Sequence, residues 1–131
     1  MKNREELIAI ASTYLYQGLL EHKPEEVLFA DDCVRMEMGW ETGGNAEQLR
    51  EILKQDNYLI NKAIHDLVWV VEAPYLDARF SLELHGIDLV MRIATRFKIV
   101  DGLIQHIEIL FNAGDMHQAV MDATEPLRTD L

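Results

Sequence analysis

Three residues of this 131-residue chain have types and settings suited to moving protons: Glu37, His65 and Tyr14. The alternation from Ile64 onward puts His65 on one strand face with Leu67, Trp69 and Val71, so an imidazole would stand on an apolar surface. Such a histidine can take a proton from carbon and return it to a departing hydroxyl, and a carboxylate such as Glu37 or Asp32 would fix its tautomer. The plainer reading is a partly buried histidine satisfied by a backbone carbonyl. Glu37 lies in the alternating run Cys33 to Met38, where a carboxylate turned toward an apolar pocket would suit general acid–base work. Its competing role is a solvated glutamate on an edge strand, paired with Arg35 while Val34, Met36 and Met38 form the apolar face. Tyr14 recurs with Leu7, Ala11 and Gly18 at helical spacing, so its hydroxyl could reach a pocket and donate to a substrate oxygen. It could equally be a core tyrosine with a wet tip, and Tyr16 points roughly 180° away.

Other polar groups carry less. His85, His106 and Glu108 fall on the polar side of the strands, but Arg96 opposite them would repel a cation and no His-x-x-x-His pair occurs, so no metal is expected. Cys33 has no partnered base in sequence reach and reads as a small buried filler. Neither a nucleotide loop nor a nucleophile elbow is present, and no cofactor is implied.

The elements that must position these residues run helices first and strands afterwards, an α+β arrangement. Asn3 with Glu6 reads as a capping box for a helix running to about His22, and Pro24 opens a second, from Glu25 to about Ala30, closed by Asp31-Asp32. A short strand follows over Cys33 to Met38, then a glycine loop around Trp40, then a third helix opened by Asn45 and Gln48. From Ile64 the period changes to two. One strand ends at Ala73-Pro74; the next sets Phe80, Leu82 and Leu84 against Arg79, Ser81, Glu83 and His85. A fourth carries Leu89, Met91, Ile93, Thr95, Phe97 and Ile99 inside, with Arg92, Arg96 and Lys98 outside. The last alternates from Leu103 to Phe111. At the Val100-Asp101-Gly102 turn, a two-residue loop would pair Phe97 with His106 and mix the faces. A three-residue loop pairs Thr95 with Ile107 and Arg96 with His106 and keeps them apart. Asp115 and Gln118 suggest a short last helix before Pro126, followed by a frayed tail.

The order helix, short helix ending Phe29-Ala30-Asp31-Asp32, strand, helix and strand meander closing on Ile107-Glu108-Ile109-Leu110-Phe111 resembles the nuclear transport factor 2-like superfamily over residues 4 to 114. That superfamily includes ketosteroid isomerases, polyketide cyclases and scytalone-type dehydratases. The resemblance implies one domain with a cone-shaped cystatin-like fold, often a homodimer, holding an apolar pocket between helices and curved sheet. Glu37 falls where ketosteroid isomerases carry their proton-moving aspartate, His65 where dehydratase-like relatives place a catalytic histidine, and Tyr14 where several relatives use a first-helix tyrosine. The second acid of the isomerases would fall at Thr95, a neutral group, which argues against steroid isomerisation. The pocket would be lined by Tyr14, Trp69, Met91, Thr95, Phe97, Ile107, Ile109 and Phe111.

Twelve Lys and Arg against 23 Asp and Glu leave a net charge of −11, which repels phosphate backbones and anionic membrane surfaces. Nucleic acid and membrane are therefore not expected as partners. One cysteine and an N-terminus without a signal-peptide apolar core imply a reduced, cytoplasmic setting. Val90, Ile104 and Leu110 interrupt the polar sheet face, and homodimerisation through that face would cover them. Two functions fit these features. One is a cofactor-independent lyase or isomerase working on a small, largely apolar molecule through His65, Glu37 and Tyr14. The other is a non-catalytic ligand-binding or dimerisation module of the same fold.

Overall fold

The computed structural model describes residues 2–88 and 90–112; Leu89 and the expected C-terminal helix and tail over 115–131 lie outside the described residues. Asn3 caps α1 (Arg4–Thr13), its side-chain oxygen accepting from the Glu6 amide at 2.9 Å. Leu7, Ile10 and Ala11 form the buried stripe. The helix then widens into a π-helical segment, Tyr14–Leu20, which buries Tyr14, Leu15, Gly18 and Leu19. Gly18 lets this segment pack closely, since a Cβ would come within 3.2 Å of the Val27 side chain. The second helix expected over Glu25 to Ala30 is a single 3-10 turn, Pro24–Glu26. Phe29 is claimed instead by the sheet, where it pairs with Ile104, so Asp31 and Asp32 belong to a strand rather than a helix end.

That strand, β1 (Phe29–Glu37), turns through Met38-Gly39 into β2 (Trp40–Gly43). Both turn residues have positive φ, 50° and 85°, the backbone a two-residue hairpin requires. Next come α2 (Ala46–Leu53), capped by Asn45, and a 3-10 turn, Asp56–Tyr58. The meander consists of β3 (Asn61–Glu72), β4 (Tyr75–Leu84), β5 (Val90–Val100) and β6 (Leu103–Phe111). Six strands form one sheet in the order β2-β1-β6-β5-β4-β3, antiparallel throughout except where β1 runs parallel to β6. The helices cover one face of this curved sheet. Leu7, Ile10, Leu15, Leu49 and Leu53 meet Leu76, Ala78, Phe80, Leu82, Phe97 and Ile107 in the buried core.

Two bulges revise the expected faces. Asp101-Gly102 forms a two-residue turn with both φ positive, and an extra residue, Gln105, follows it on β6. Val100 and Ile99 pair with Leu103 and Ile104, but Lys98 pairs with His106, Phe97 with Ile107, Arg96 with Glu108 and Thr95 with Ile109. The expected separation of faces is kept, by a bulge rather than a longer loop, and the register lies two residues from the expected one. Ile104, assigned to the outer face, is instead fully buried. On β3, His65 pairs with Ser81 and Val68 with Arg79, leaving Asp66 and Leu67 opposite Phe80 alone. Asp66 takes φ 57°, a left-handed conformation that Asp tolerates better than most residues. The bulge separates His65 from Leu67, Trp69 and Val71: those three turn inward, whereas His65 points outward.

Candidate functional site

Of the two orientations open for β1, the structure takes the one that turns Glu37 inward, and the apolar face of Val34 and Met36 expected for the alternative lies outside. Arg35 and Glu37 pair with Ile107 and Ile109, both buried, while Val34 and Met36 pair with His106 and Glu108 on the outer face. Arg35 is only 1% exposed, although it carries a full charge. A guanidinium survives there because its donors find partners. Nε donates to the Thr42 hydroxyl at 3.0 Å and Nη1 to the Tyr14 hydroxyl at 3.2 Å. Nη2 reaches the Tyr58 hydroxyl at 3.1 Å, the Thr42 carbonyl at 3.4 Å and the Glu37 carboxylate at 3.3 Å. Its carbon also lies 5.8 Å from the centre of the Tyr58 ring. Four elements converge on one side chain: the π-helical segment through Tyr14, β1 through Glu37, β2 through Thr42 and the turn after α2 through Tyr58.

The π-helical segment begins at Tyr14, and burial of its ring continues into edge contacts with Phe29 at 6.3 Å and Phe97 at 5.7 Å. Burial pushes the Tyr14 hydroxyl up to about 12, with Arg35 pulling the other way. Tyr58 is raised for the same reason, again opposed by Arg35. Both phenols therefore keep their protons at neutral pH. Each accepts from Arg35, and among the described residues neither hydroxyl donates to an acceptor. Burial works against the charge on Arg35, but Tyr14, Tyr58 and Glu37 outweigh it and hold the guanidinium above its ordinary range.

Glu37 is a partly accessible member, as are Thr42 and Tyr58, its side chain 28% exposed. One oxygen faces Arg35 and the carboxylate stands at the boundary between buried core and solvent. Farther along the inner face, Trp69, Met91 and Phe111 are half-buried, whereas Thr95, Phe97, Ile107 and Ile109 are buried. Trp69 packs on Phe97 at 6.3 Å between ring centres. The seven strand residues among the eight expected to line the pocket thus occupy the inner face, with the first three forming its accessible part, and Tyr14 is buried beneath Arg35.

His65 does not join this cluster. Its Nε2 lies 2.8 Å from Glu83, which also binds Lys62 at 2.9 Å, on the outer face. The hydrogen bond from Lys62, then that from His65, lowers the Glu83 carboxyl. Three strands separate β3 from β1 in the sheet, so neither Glu37 nor the exposed Asp32 orients the imidazole. The expected His65–Glu37 pair is replaced by His65–Glu83 outside and Arg35–Glu37 inside. The Arg35–Glu37 pair is the one weighed for Glu37's competing role, but the burial of Arg35 and its partners Thr42 and Tyr58 are not legible in the sequence. The one usable signal was that Arg35 alternates with the apolar Cys33; Tyr58 lies in a turn without periodicity.

Among the described residues, no group of three or more His, Cys, Asp or Glu side chains is placed to hold a metal ion. Cys33 is buried, and burial first, then Asp32, raises its thiol to about 12. No described helix is long and apolar enough to cross a membrane.

Solved structures share this architecture at low identity. An LEH-like epoxide hydrolase from M. tuberculosis superimposes with a TM-score of 0.70 at 16% identity, covering 97% of this chain and 98% of that one. A proposed SnoaL-like polyketide cyclase from Shewanella denitrificans OS-217 gives 0.69 at 12%, with 92% and 99% covered. An NTF-2 like protein of unknown function from Burkholderia xenovorans LB400 gives 0.69 at 11%, with 82% and 84% covered. These likenesses establish the nuclear transport factor 2-like cone fold, which by itself assigns no chemistry. No curated protein matches the chain significantly. The family described as "Domain of unknown function (DUF8021)" matches residues 1–111. The chain belongs to the DUF8021 family, built here as a nuclear transport factor 2-like cone.

Proposed function

We propose that the chain is a cofactor-independent lyase or isomerase that binds a small, largely apolar molecule on the inner sheet face and moves a proton through Glu37. The observation that carries this reading is the fixed, accessible carboxylate of Glu37, oriented by a buried arginine that Tyr14, Thr42 and Tyr58 hold in place. General acid–base catalysis needs such a group within reach of a carbon-bound proton, and the half-buried Phe111, on the strand next to β1 and bonded to Met38, supplies apolar surface beside it. Tyr58, protonated at neutral pH and partly exposed, is suited to donate to a substrate oxygen as negative charge develops. Tyr14 is too deeply buried for that contact and serves to position Arg35.

The second reading, a non-catalytic ligand-binding module, is favoured by the complete engagement of Arg35, whose ion pair with Glu37 has a structural use of its own. A screen of cyclic enones, hydroxy-ketones and polyketide-like substrates separates the two. Catalysis predicts that Glu37→Gln lowers turnover by about 100-fold or more and Tyr58→Phe by about tenfold. Binding without turnover of any of these compounds would favour the module.

A further inference from the structure

The most exposed large apolar side chain among the described residues is Trp40, at 77%. It is not placed at random. Trp40 pairs directly with Glu37 across the β1–β2 hairpin, and residues opposite each other in an antiparallel ladder project from the same face with Cβ atoms about 5 Å apart. Because Glu37 points inward, Trp40 projects from the same face next to it, on the edge strand β2. The hairpin fixes that position: Met38 and Gly39 form a tight turn, the Met38 amide donates to the Ile109 carbonyl at 2.9 Å, and the Phe111 amide donates to the Met38 sulfur at 3.4 Å. The turn is thereby tied to β6, so the indole is presented by an anchored hairpin. A second half-buried indole, Trp69, lies on the same face.

Glu37 has one oxygen on Arg35, leaving acceptor capacity on the other for a hydroxyl donor. An indole face next to that acceptor matches a flat π-system better than a puckered aliphatic ring, since stacking adds to simple area burial.

We propose that Trp40 is the outer wall of the Glu37 site and that the site takes planar aromatic or conjugated molecules bearing a hydroxyl group. The hydroxyl donates to Glu37 while the ring lies against Trp40. This inference rests on the proposed inner-face site and specifies what enters it.

Isothermal titration with 2-naphthol and with 2-decalol, its saturated counterpart, tests both levels. The expected result is that 2-naphthol binds about five- to tenfold more tightly, that Trp40→Leu removes this preference and that Trp40→Phe retains most of it. Glu37→Gln should weaken both alcohols alike. Trp40 is exposed, so thermal unfolding of its variants should match the parent and serve as the folding control. Equal affinity for the two alcohols, with Trp40→Leu silent and Glu37→Gln still weakening both, would overturn the role of Trp40 and leave the inner-face site standing. Absence of binding by either alcohol, or binding indifferent to Glu37→Gln, would overturn both.

Discussion

Arg35 ties together four elements through a single side chain, so removing it should cost more than any other polar substitution among the described residues. Arg35→Leu leaves the buried Tyr14 hydroxyl without its donor and Glu37 without its counter-charge, a loss of about 3 kcal/mol or more in urea unfolding. Lysine should not rescue it, because one ammonium cannot reproduce the fork that reaches Thr42, Tyr14 and Tyr58. The tyrosine also sets an alkaline limit. Its hydroxyl rises from 10.0 to about 12 in the folded chain and the Cys33 thiol from 9.0 to about 12. A raised folded pKa means that the unfolded chain releases its proton first. The stabilisation is thus complete below pH 9 and is lost as pH rises toward 12, at up to about 1.4 kcal/mol per pH unit for each group. Urea midpoints at pH 8, 10 and 11 should fall steeply for the parent and more gently for a Tyr14→Phe/Cys33→Ala variant. Parallel declines would show that neither group contributes.

At the scale of elements, hydrophobic alternation revealed the helices-then-meander order and the inner faces of β4 and β5, because those strands are regular over their whole length. It failed where an extra residue broke the period. Asp66 and Gln105 carry no compositional mark strong enough to announce a bulge, yet each reverses the side on which its neighbours fall, which is why His65 and Ile104 were misplaced. On β1 the pattern leaves two orientations open, because Val34 and Met36 look more core-like than Arg35, and a hydrogen-bond shell assembled from distant segments has no local signature. The β3 bulge can be tested by deletion. Removing Asp66 restores simple alternation and keeps Ile64, Leu67, Trp69 and Val71 inside, so stability should change by no more than about 1 kcal/mol. Removing Val68 forces part of the strand to face the wrong way and should abolish cooperative melting. Equal cost for the two deletions would favour an unbulged strand.

For the molecule as a whole, the helices cover the inner face and leave the outer one open. Val68, Val90 and Leu110 are 56%, 47% and 53% exposed there, around an Asp77–Arg96 ion pair with contacts of 2.7 and 2.9 Å. We propose that a second copy covers this face, since apolar side chains spread over several strands and interleaved with charges fit an isologous contact. Sedimentation equilibrium should show a homodimer at micromolar concentration, and Leu110→Glu should shift it to monomer. A parent chain that remains monomeric at several hundred micromolar would contradict this.

The proposed activity assigns proton transfer to Glu37 on the inner face and not to His65 on the outer one. Deuterium incorporation from D2O into the carbon acids of an enone and hydroxy-ketone panel, followed by NMR, tests it directly. The parent protein should accelerate exchange in at least one compound, Glu37→Gln should slow that exchange by about 100-fold or more, and His65→Ala should leave it unchanged. Loss of exchange in His65→Ala with Glu37→Gln unaffected, or no acceleration by the parent, would contradict proton transfer by Glu37.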